Sequence, residues 1–402
     1  MRPLIEPLIL SVSGRDRPGI LAELSRVLAD AGIELVDLEQ ATLQDLLALS
    51  FLVDLGGNPR HAHVLLEKFF PAAGRLGLQV VARPISPEEL ITLKERDLWA
   101  LTLLGSEATA QMVATVAEVT RRHNANVVSI RRLAEDDLRA AEFLVDASRT
   151  ADVNAFRRDL FLECEAEGID VGLSRASVYR QSKRVVVFDA DSTLVAGEVI
   201  DELARRAGVV DRVSEITRRA MAGELDFEAA LIERVALLRG LPVWTLRQVE
   251  QSLPLTAGAA EVITALKLLG YKVAVISGGF SFFTEHLKRV LGLDYAFGNE
   301  LEIEDGMLTG RVVPPIIGAR GKADLLREIA RREGVPLSQV VGVGDGANDV
   351  PMLQAAGLGV AFRAKEVAKR AADGAIHQNS LFGLLYLLGL SQADLAELQV
   401  GQ

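Results

Sequence analysis

The sequence contains a single cysteine, Cys164, in 402 residues. No disulfide can close within such a chain, and no metal site can be built from thiolates. Aromatic residues are sparse, at 5%, so the core must be packed mainly from Ala, Val, Leu and Ile. No apolar run approaches the 18 or so residues of a membrane helix, and no membrane partner is expected. The segment Met1-Arg2-Pro3-Leu4-Ile5-Glu6-Pro7 lacks the long apolar stretch of a secretory signal. Together with the lone cysteine, this leads us to expect a reducing, cytoplasmic location. Positive charge is not in excess: 44 Lys and Arg against 55 Asp and Glu give a net charge of −11. An acidic chain has no overall electrostatic attraction to nucleic acid or anionic lipid, and no nucleic-acid partner is expected. The histidines, His61, His63, His123, His286 and His377, form no metal-ligand cluster.

What is present fits a soluble globular chain of two to four domains, with 49% hydrophobic and 25% charged residues. Leu8-Ile9-Leu10-Ser11-Val12-Ser13 alternates like a strand. A turn, Gly14-Arg15-Asp16-Arg17-Pro18-Gly19, follows. Ile20, Leu21, Leu24, Val27, Leu28 and Ala31 then recur at helical spacing, with Gly32 at the C-cap position. Two more strands are expected at Ile33–Val36 and Leu47–Leu55. The same order returns after Trp99: Val113, Val116 and Val119 follow Leu21, Leu24 and Val27 at a shift of 92. Phe51-Leu52-Val53-Asp54 recurs as Phe143-Leu144-Val145-Asp146 at that same shift. The pattern implies a duplicated ferredoxin-like β-α-β-β-α-β unit, over residues 1–84 and 92–177.

From residue 184 onward the pattern changes to short apolar strands alternating with helices: Val185–Phe188, Val273–Ile276, Val340–Val343 and Leu358–Ala361. Uninterrupted apolar strands are those of a parallel sheet buried on both faces. An α/β domain over 184–402 is expected, with a Rossmann-like sheet and a helical cap inserted at about 197–255. Three of the four strands lead into chemically active groups: Asp189-Ala190-Asp191-Ser192-Thr193, Ser277-Gly278-Gly279 and Gly344-Asp345-Gly346-Ala347-Asn348-Asp349. Open α/β sheets bind ligands at the carboxyl ends of their strands, so these groups should converge. Of two neighbouring carboxylates, one can act as a nucleophile while the other is pushed toward protonation and serves as an acid. Asp345 adds the oxygen-rich surroundings Mg²⁺ prefers. Ser277 and Lys322 suit the oxygens of a phosphoryl group. Gly342-Val343-Gly344-Asp345-Gly346-Ala347 also fits a dinucleotide pattern, but Asp345 and Asp349 would repel a pyrophosphate.

Asp189-x-Asp191-Ser192-Thr193, Ser277, Lys322 and Gly344-Asp345-Gly346-x-Asn348-Asp349 resemble the four motifs of the haloacid dehalogenase superfamily, over residues 184–390. Within it, Thr193-Leu194-Val195-x-x-Glu198, Met221-x-Gly223-x-x-Asp226-Phe227 and Arg234 resemble the phosphoserine phosphatases. The duplicated unit resembles ACT domains, with Gly14-x-Asp16-x-Pro18-Gly19 similar to their ligand turn; the second copy has no such turn after Gly105. The resemblance implies hydrolysis of O-phospho-L-serine to L-serine, the last step of serine biosynthesis. Asp189 would be the nucleophile, forming an aspartyl phosphate, and Asp191 the acid and then the base. Mg²⁺ would be held by Asp189, Asp345 and the backbone carbonyl of Asp191, with Asp349 orienting this set. Ser277, the Gly278 amide and Lys322 would hold the phosphoryl oxygens, helped by Asn348. Glu198 would meet the substrate ammonium and Arg234 its carboxylate, with Met221 and Phe227 in the cap. Asp16 and Gly19 would bind a regulatory amino acid such as serine, and the ACT-like sheets would pair two chains into a homodimer. The alternatives are a phosphatase or phosphotransferase for another small phosphomonoester, or an amino-acid sensor with an inactive phosphatase half.

Overall fold

The computed structural model describes residues 6–86, 89, 96–105, 110–134, 139–176, 182–221 and 224–398. Met1–Arg96 and Asp97–Gln402 are two compact units.

In the first unit, β1 (Pro7–Arg15) leads through Gly19 into the helix Ile20–Ala31. That helix buries Ile20, Leu24 and Leu28 and stops at Gly32, whose left-handed φ of 66° lets its N–H bond back to Ala29 O. β2 (Glu34–Leu43) and β3 (Leu46–Asp54) form a hairpin. A broken helical stretch, Pro59–Val64, Leu65–Phe69 and Phe70–Arg75, precedes β4 (Gln79–Pro84). The antiparallel sheet has the order β2-β3-β1-β4. Its inner face packs Leu10, Val12, Phe51 and Val53 against the helices, with Phe51 edge-on to Phe69 at 5.7 Å. β2 is longer than the expected Ile33–Val36. Nearly all of it is exposed, so pairing with β3 rather than hydrophobic alternation defines its length.

The second unit opens with the same topology. β5 (Leu98–Gly105), the helix Ala110–Arg122, β6 (Asn126–Ala134), β7 (Arg139–Asp146), the helix Val153–Ala166 and β8 (Asp170–Arg175) repeat the first copy. The strand order β6-β7-β5-β8 corresponds to β2-β3-β1-β4. Next come β9 (Val185–Phe188), β10 (Lys272–Phe280), β11 (Tyr295–Glu304), β12 (Met307–Val313), β13 (Val340–Gly344), β14 (Leu358–Phe362) and β15 (Gly374–Ile376). β11-β10-β9-β13-β14-β15 is the parallel part. Val186, Phe188, Val273, Val275, Val341 and Val343 enter one core, while Val185, Val187, Ala274, Ile276 and Val340 enter the other. This two-sided burial is why these strands read as unbroken apolar runs.

The two halves of this unit share one eleven-stranded sheet, joined where β15 meets β8 antiparallel at Gly374 and Gly172. A Cβ on Gly172 would lie 2.7 Å from Leu387 Cδ2, so the absent side chain permits this close approach. Across the junction, the Asp170 carboxylate accepts from the backbone N–H of His377 and meets its Nδ1, both at 2.7 Å.

The cap comprises the helices Val199–Ala207, Val210–Met221, Phe227–Ala236 and Trp244–Ser252. A hairpin not anticipated from the sequence, β11–β12, turns at Asp305 and Gly306 and bonds to cap backbone: Gly240 N–H to Leu308 O at 2.8 Å and Val243 N–H to Gly306 O at 2.9 Å. Among the described residues, no helix is long and apolar enough to cross a membrane.

Candidate active site

The carboxyl ends of β9, β10 and β13 converge, as the strand-end rule requires. Asp189 follows β9 directly, and its N–H donates to Val343 O at 2.8 Å. Asp189 Oδ1 lies 2.7 Å from Lys322 Nζ and accepts from Ala190 N–H at 2.7 Å. Lys322 stands in the first turn of the helix Ala319–Arg332, is fully buried, and also donates to Asp349 Oδ1 at 2.6 Å. Asp349 is equally buried. Its Oδ2 accepts from the N–H groups of Asp345 (3.1 Å) and Gly346 (2.9 Å). Those amides are therefore committed and cannot cradle a pyrophosphate, which disposes of the dinucleotide pattern. Gly344 is required here, because a Cβ would lie 2.5 Å from Asp349 Cγ.

The backbone turns sharply after Asp189, with Ser192 at φ 58°. Asp191 Oδ1 accepts from Val199 N–H at 2.8 Å, and Ser277 Oγ donates to Asp191 Oδ2 at 3.4 Å. The carboxyl of Asp191 therefore faces the cap side, away from the metal-type cluster. β10 runs on through Ser277, Gly278 and Gly279 rather than ending before them. Its register with β11 shifts between Ile276 and Phe280, and this irregularity frees the intervening peptides from the ladder.

A cavity of about 470 Å³ opens over this floor. Asp189, Asp191, Gly278, Asp345 and Asn348 line one side; Glu198, Phe227 and Arg234 line the other. Ser277 and Lys322 lie just beneath the wall. The backbone of Met221 ends its cap helix, but its side chain, like Gly223, lies outside the described residues. Asp16 and Gly19 are together on the exposed rim of a hollow in the first unit, where Gly19 has φ 98°.

The electrostatics of the floor are strained. Burial, then the neighbouring charges of Asp349, Asp345 and Asp191, pushes Asp189 well above the usual carboxylate range, against the opposing pull of Lys322. Asp191 is raised to about 7 by burial and by Glu198. Asp345 is also raised to about 7, by burial and by Asp349. Burial disfavours the charged Lys322, but Asp189 and Asp349 outweigh it and hold the ammonium above its ordinary value. One lysine does not balance this many carboxylates. Carboxylate oxygens of Asp189, Asp345 and Asp349 lie within 4.8 Å of one another. Such an all-oxygen set with surplus negative charge fits a hard divalent cation.

Two neighbours of the site were not picked out in the sequence. Lys365 lines the cavity, and its N–H donates to Asp345 O at 3.0 Å. It follows β14, so the strand-end rule applied to the fourth apolar strand points to it. Asn299 is buried on β11. Its Nδ2 donates to Gly278 O at 2.8 Å, and its Oδ1 accepts from Ile317 N–H at 2.6 Å. It ties the Ser277–Gly279 segment to the approach of the Lys322 helix, and a lone Asn within a strand gives no sequence signal of that.

Residues 183–357 match the haloacid dehalogenase-like hydrolase family, and residues 6–83 and 99–174 each match ACT domains. The phosphoserine phosphatase of Archaeoglobus fulgidus is 48% identical over 319 residues, covering 79% of this chain and 91% of that one. The phosphoserine phosphatase of Streptomyces coelicolor is 41% identical over 396 residues, covering 97% of this chain and 94% of that one. This chain belongs to the phosphoserine phosphatase family. It is a phosphatase with a haloacid dehalogenase-like domain and two ACT domains. The crystal structure of a HAD family hydrolase from Salmonella enterica serovar Typhi, 30% identical, aligns with a TM-score of 0.63 over 72% of this chain and 98% of that one. The mixed α/β architecture described above is thus the one a solved member of the superfamily adopts.

Proposed function

We propose that the protein hydrolyses O-phospho-L-serine to L-serine and phosphate through an aspartyl phosphate on Asp189, with Mg²⁺ as cofactor. The observation that carries this reading is the facing of two groups across one cavity: the Asp189–Asp191 floor, and the cap pair Glu198 and Arg234. The first suits phosphoryl transfer, the second an ammonium and a carboxylate.

In the first step a carboxylate oxygen of Asp189 attacks phosphorus. The bond from phosphorus to the serine oxygen breaks, and Asp191 gives that oxygen a proton. The raised pKa of Asp191, from burial and Glu198, supports its carrying that proton near neutrality. In the second step Asp191 takes a proton from water, the hydroxyl attacks phosphorus, and the bond to Asp189 breaks. Ser277 Oγ, the Gly278 N–H and Lys322 Nζ hold the phosphoryl oxygens, with Asn348 beside them. Asp189, Asp345 and the backbone carbonyl of Asp191 would hold Mg²⁺, and Asp349, already fixed by Lys322 and two amides, orients that set. When bound, the ion supplies Lewis acidity and offsets the charge of the phosphate beside several carboxylates.

The same reading divides the chain into 1–84, 92–177 and 184–402, with the cap at about 197–255, and sets the enzyme in the cytoplasm. It includes a homodimer paired through the ACT sheets, which the uncovered β2 supports. It also includes regulation by serine at Asp16 and Gly19, for which their shared hollow is the support. The decisive experiment measures phosphate release from O-phospho-L-serine with Mg²⁺, after chelation, and in Asp189→Asn. Activity that needs the ion and vanishes in the folded variant is expected. Near-normal turnover by Asp189→Asn would sink the covalent route.

A further inference from the structure

A second cavity, also about 470 Å³, lies in the seam between the second ACT domain and the parallel sheet. One wall is the helix Val153–Ala166 with β8; the other is the short helix Glu366–Ala371 with β15 and His377. None of its lining residues belongs to the catalytic cavity.

Its chemistry is two-sided. Ile169, Val171 and Ala375 give it a buried apolar floor, flanked by Phe161. Arg157, Arg158, Lys369 and Arg370 bring four cations to it, against the carboxylates of Glu165 and Glu366. Behind the lining, Asp373 pairs with Arg157 and Asp170 with His377. Lys369 is already paired with Glu165 and Glu366. Arg158 and Arg370 are exposed on opposite walls, and neither has a carboxylate partner among the described residues. By contrast, Arg121, Arg218 and Arg331 on other helices are paired with Glu118, Glu215 and Glu328 of their own helix.

Arg157 is committed to the protein: its Nη1 pairs with Asp373 at 3.1 Å, its Nη2 donates to Leu173 O at 3.4 Å, and its Nε is buried out of solvent contact. Arg158 and Arg370 therefore hold the cavity's open guanidinium groups. A guanidinium fork is matched by the two oxygens of a carboxylate or the edge of a phosphate.

We propose that the seam cavity binds a small organic anion with an apolar body, its acidic group held by Arg158 and Arg370. The size is that of an ordinary small-molecule pocket. The wall helix Glu366–Ala371 starts directly after Lys365, which lines the catalytic cavity and bonds to Asp345. A bound anion would brace that helix against the ACT domain.

The test uses the full chain. Of its two tryptophans, Trp99 has the Arg157 guanidinium 5.8 Å from its ring centroid, and Trp244 lies in the cap. In a Trp244→Phe background, Trp99 fluorescence is titrated with 3-phenylpropanoate and, separately, with its neutral amide. A saturable change with the carboxylate and a much weaker one with the amide are expected. Arg158→Gln and Arg370→Gln should each weaken binding by roughly 10- to 100-fold, with turnover in the absence of the probe unchanged. Three results each overturn the proposal: no saturable change at millimolar carboxylate, equal binding of the amide, or an unaltered titration in both variants. The last would place the probe elsewhere, as in the catalytic cavity.

Discussion

Arg234 keeps little for itself. Its Nε donates to Ala230 O at 3.2 Å and its Nη1 to Thr217 Oγ1 at 3.5 Å, the limit of a hydrogen bond, while Nη2 has no acceptor among the described residues. A substrate carboxylate would complete that fork. Arg234→Ala should therefore cost about 2–5 kcal/mol in kcat/KM for O-phospho-L-serine, and far less for phosphoethanolamine, which lacks the carboxylate. Equal losses on the two substrates would make Arg234 structural. Asn299 gives the opposite signature. Asn299→Leu keeps the branched shape but leaves Gly278 O and Ile317 N–H unpaired, at about 1–3 kcal/mol each in stability. Because it holds the Ser277–Gly279 segment, turnover should fall on both substrates by the same factor. Ser277→Ala removes a donor at the phosphoryl end and should lower kcat by roughly 10²–10³-fold. A Ser277→Ala enzyme with unchanged kcat would remove the hydroxyl from the mechanism.

At the scale of elements, legibility followed burial. β9, β10, β13 and β14 were readable as strands because both faces are covered, and the groups beyond them as a site because parallel sheets gather ligands there. β2 is legible only at its start, because an exposed strand has no apolar alternation. The β11–β12 hairpin was missed because its pattern changes partway, from the partly buried Tyr295–Phe297 to the polar stretch near Asp305. The join of β8 to β15 had no signal at all, since glycine opposite glycine is silent in a sequence. That join makes a pH-dependent element. Hydrogen bonding to Asp170 raises the pKa of His377 above its ordinary 6.5, against some burial. A raised histidine stabilises the fold fully below its unfolded value. The contribution is lost as pH rises from about 6.5 through the raised folded value. Glu165 and Lys369 also face this ring, with opposite effects. Thermal stability should thus decline over that window, and Asp170→Asn, which keeps an acceptor but removes the charge, should flatten the decline. An identical pH profile in the variant would show that the pair does not matter.

Across the whole molecule, the homologous ACT domains differ in how far their cores are their own. The buried cluster of the first contains only residues from Leu10 to Leu78. The second contributes Leu104, Leu133, Ala134 and Ala140 to the cluster that includes Val186, Leu384 and Leu387 of the phosphatase half. Removing residues 1–96 should therefore leave the unfolding of 97–402 in place. Cutting at 184 strips β8 from β15, separates Asp170 from His377 and Arg157 from Asp373, and opens the buried cluster that Leu104 and Leu133 share with Leu384 and Leu387. Losing the burial of even one or two such leucines costs about 1.5–3 kcal/mol each. For a fragment of this size each kcal/mol shifts Tm by roughly 2–4 °C. The fragment 184–402 should thus melt roughly 5–20 °C below 97–402, with catalysis at low temperature retained, since every residue assigned to the reaction lies beyond 184. Serine inhibition compared between the full chain and 97–402 then reads the first ACT domain alone, without disturbing the shared sheet. If the two fragments melt together, the eleven-stranded sheet is a juxtaposition of independent domains and not one cooperative unit.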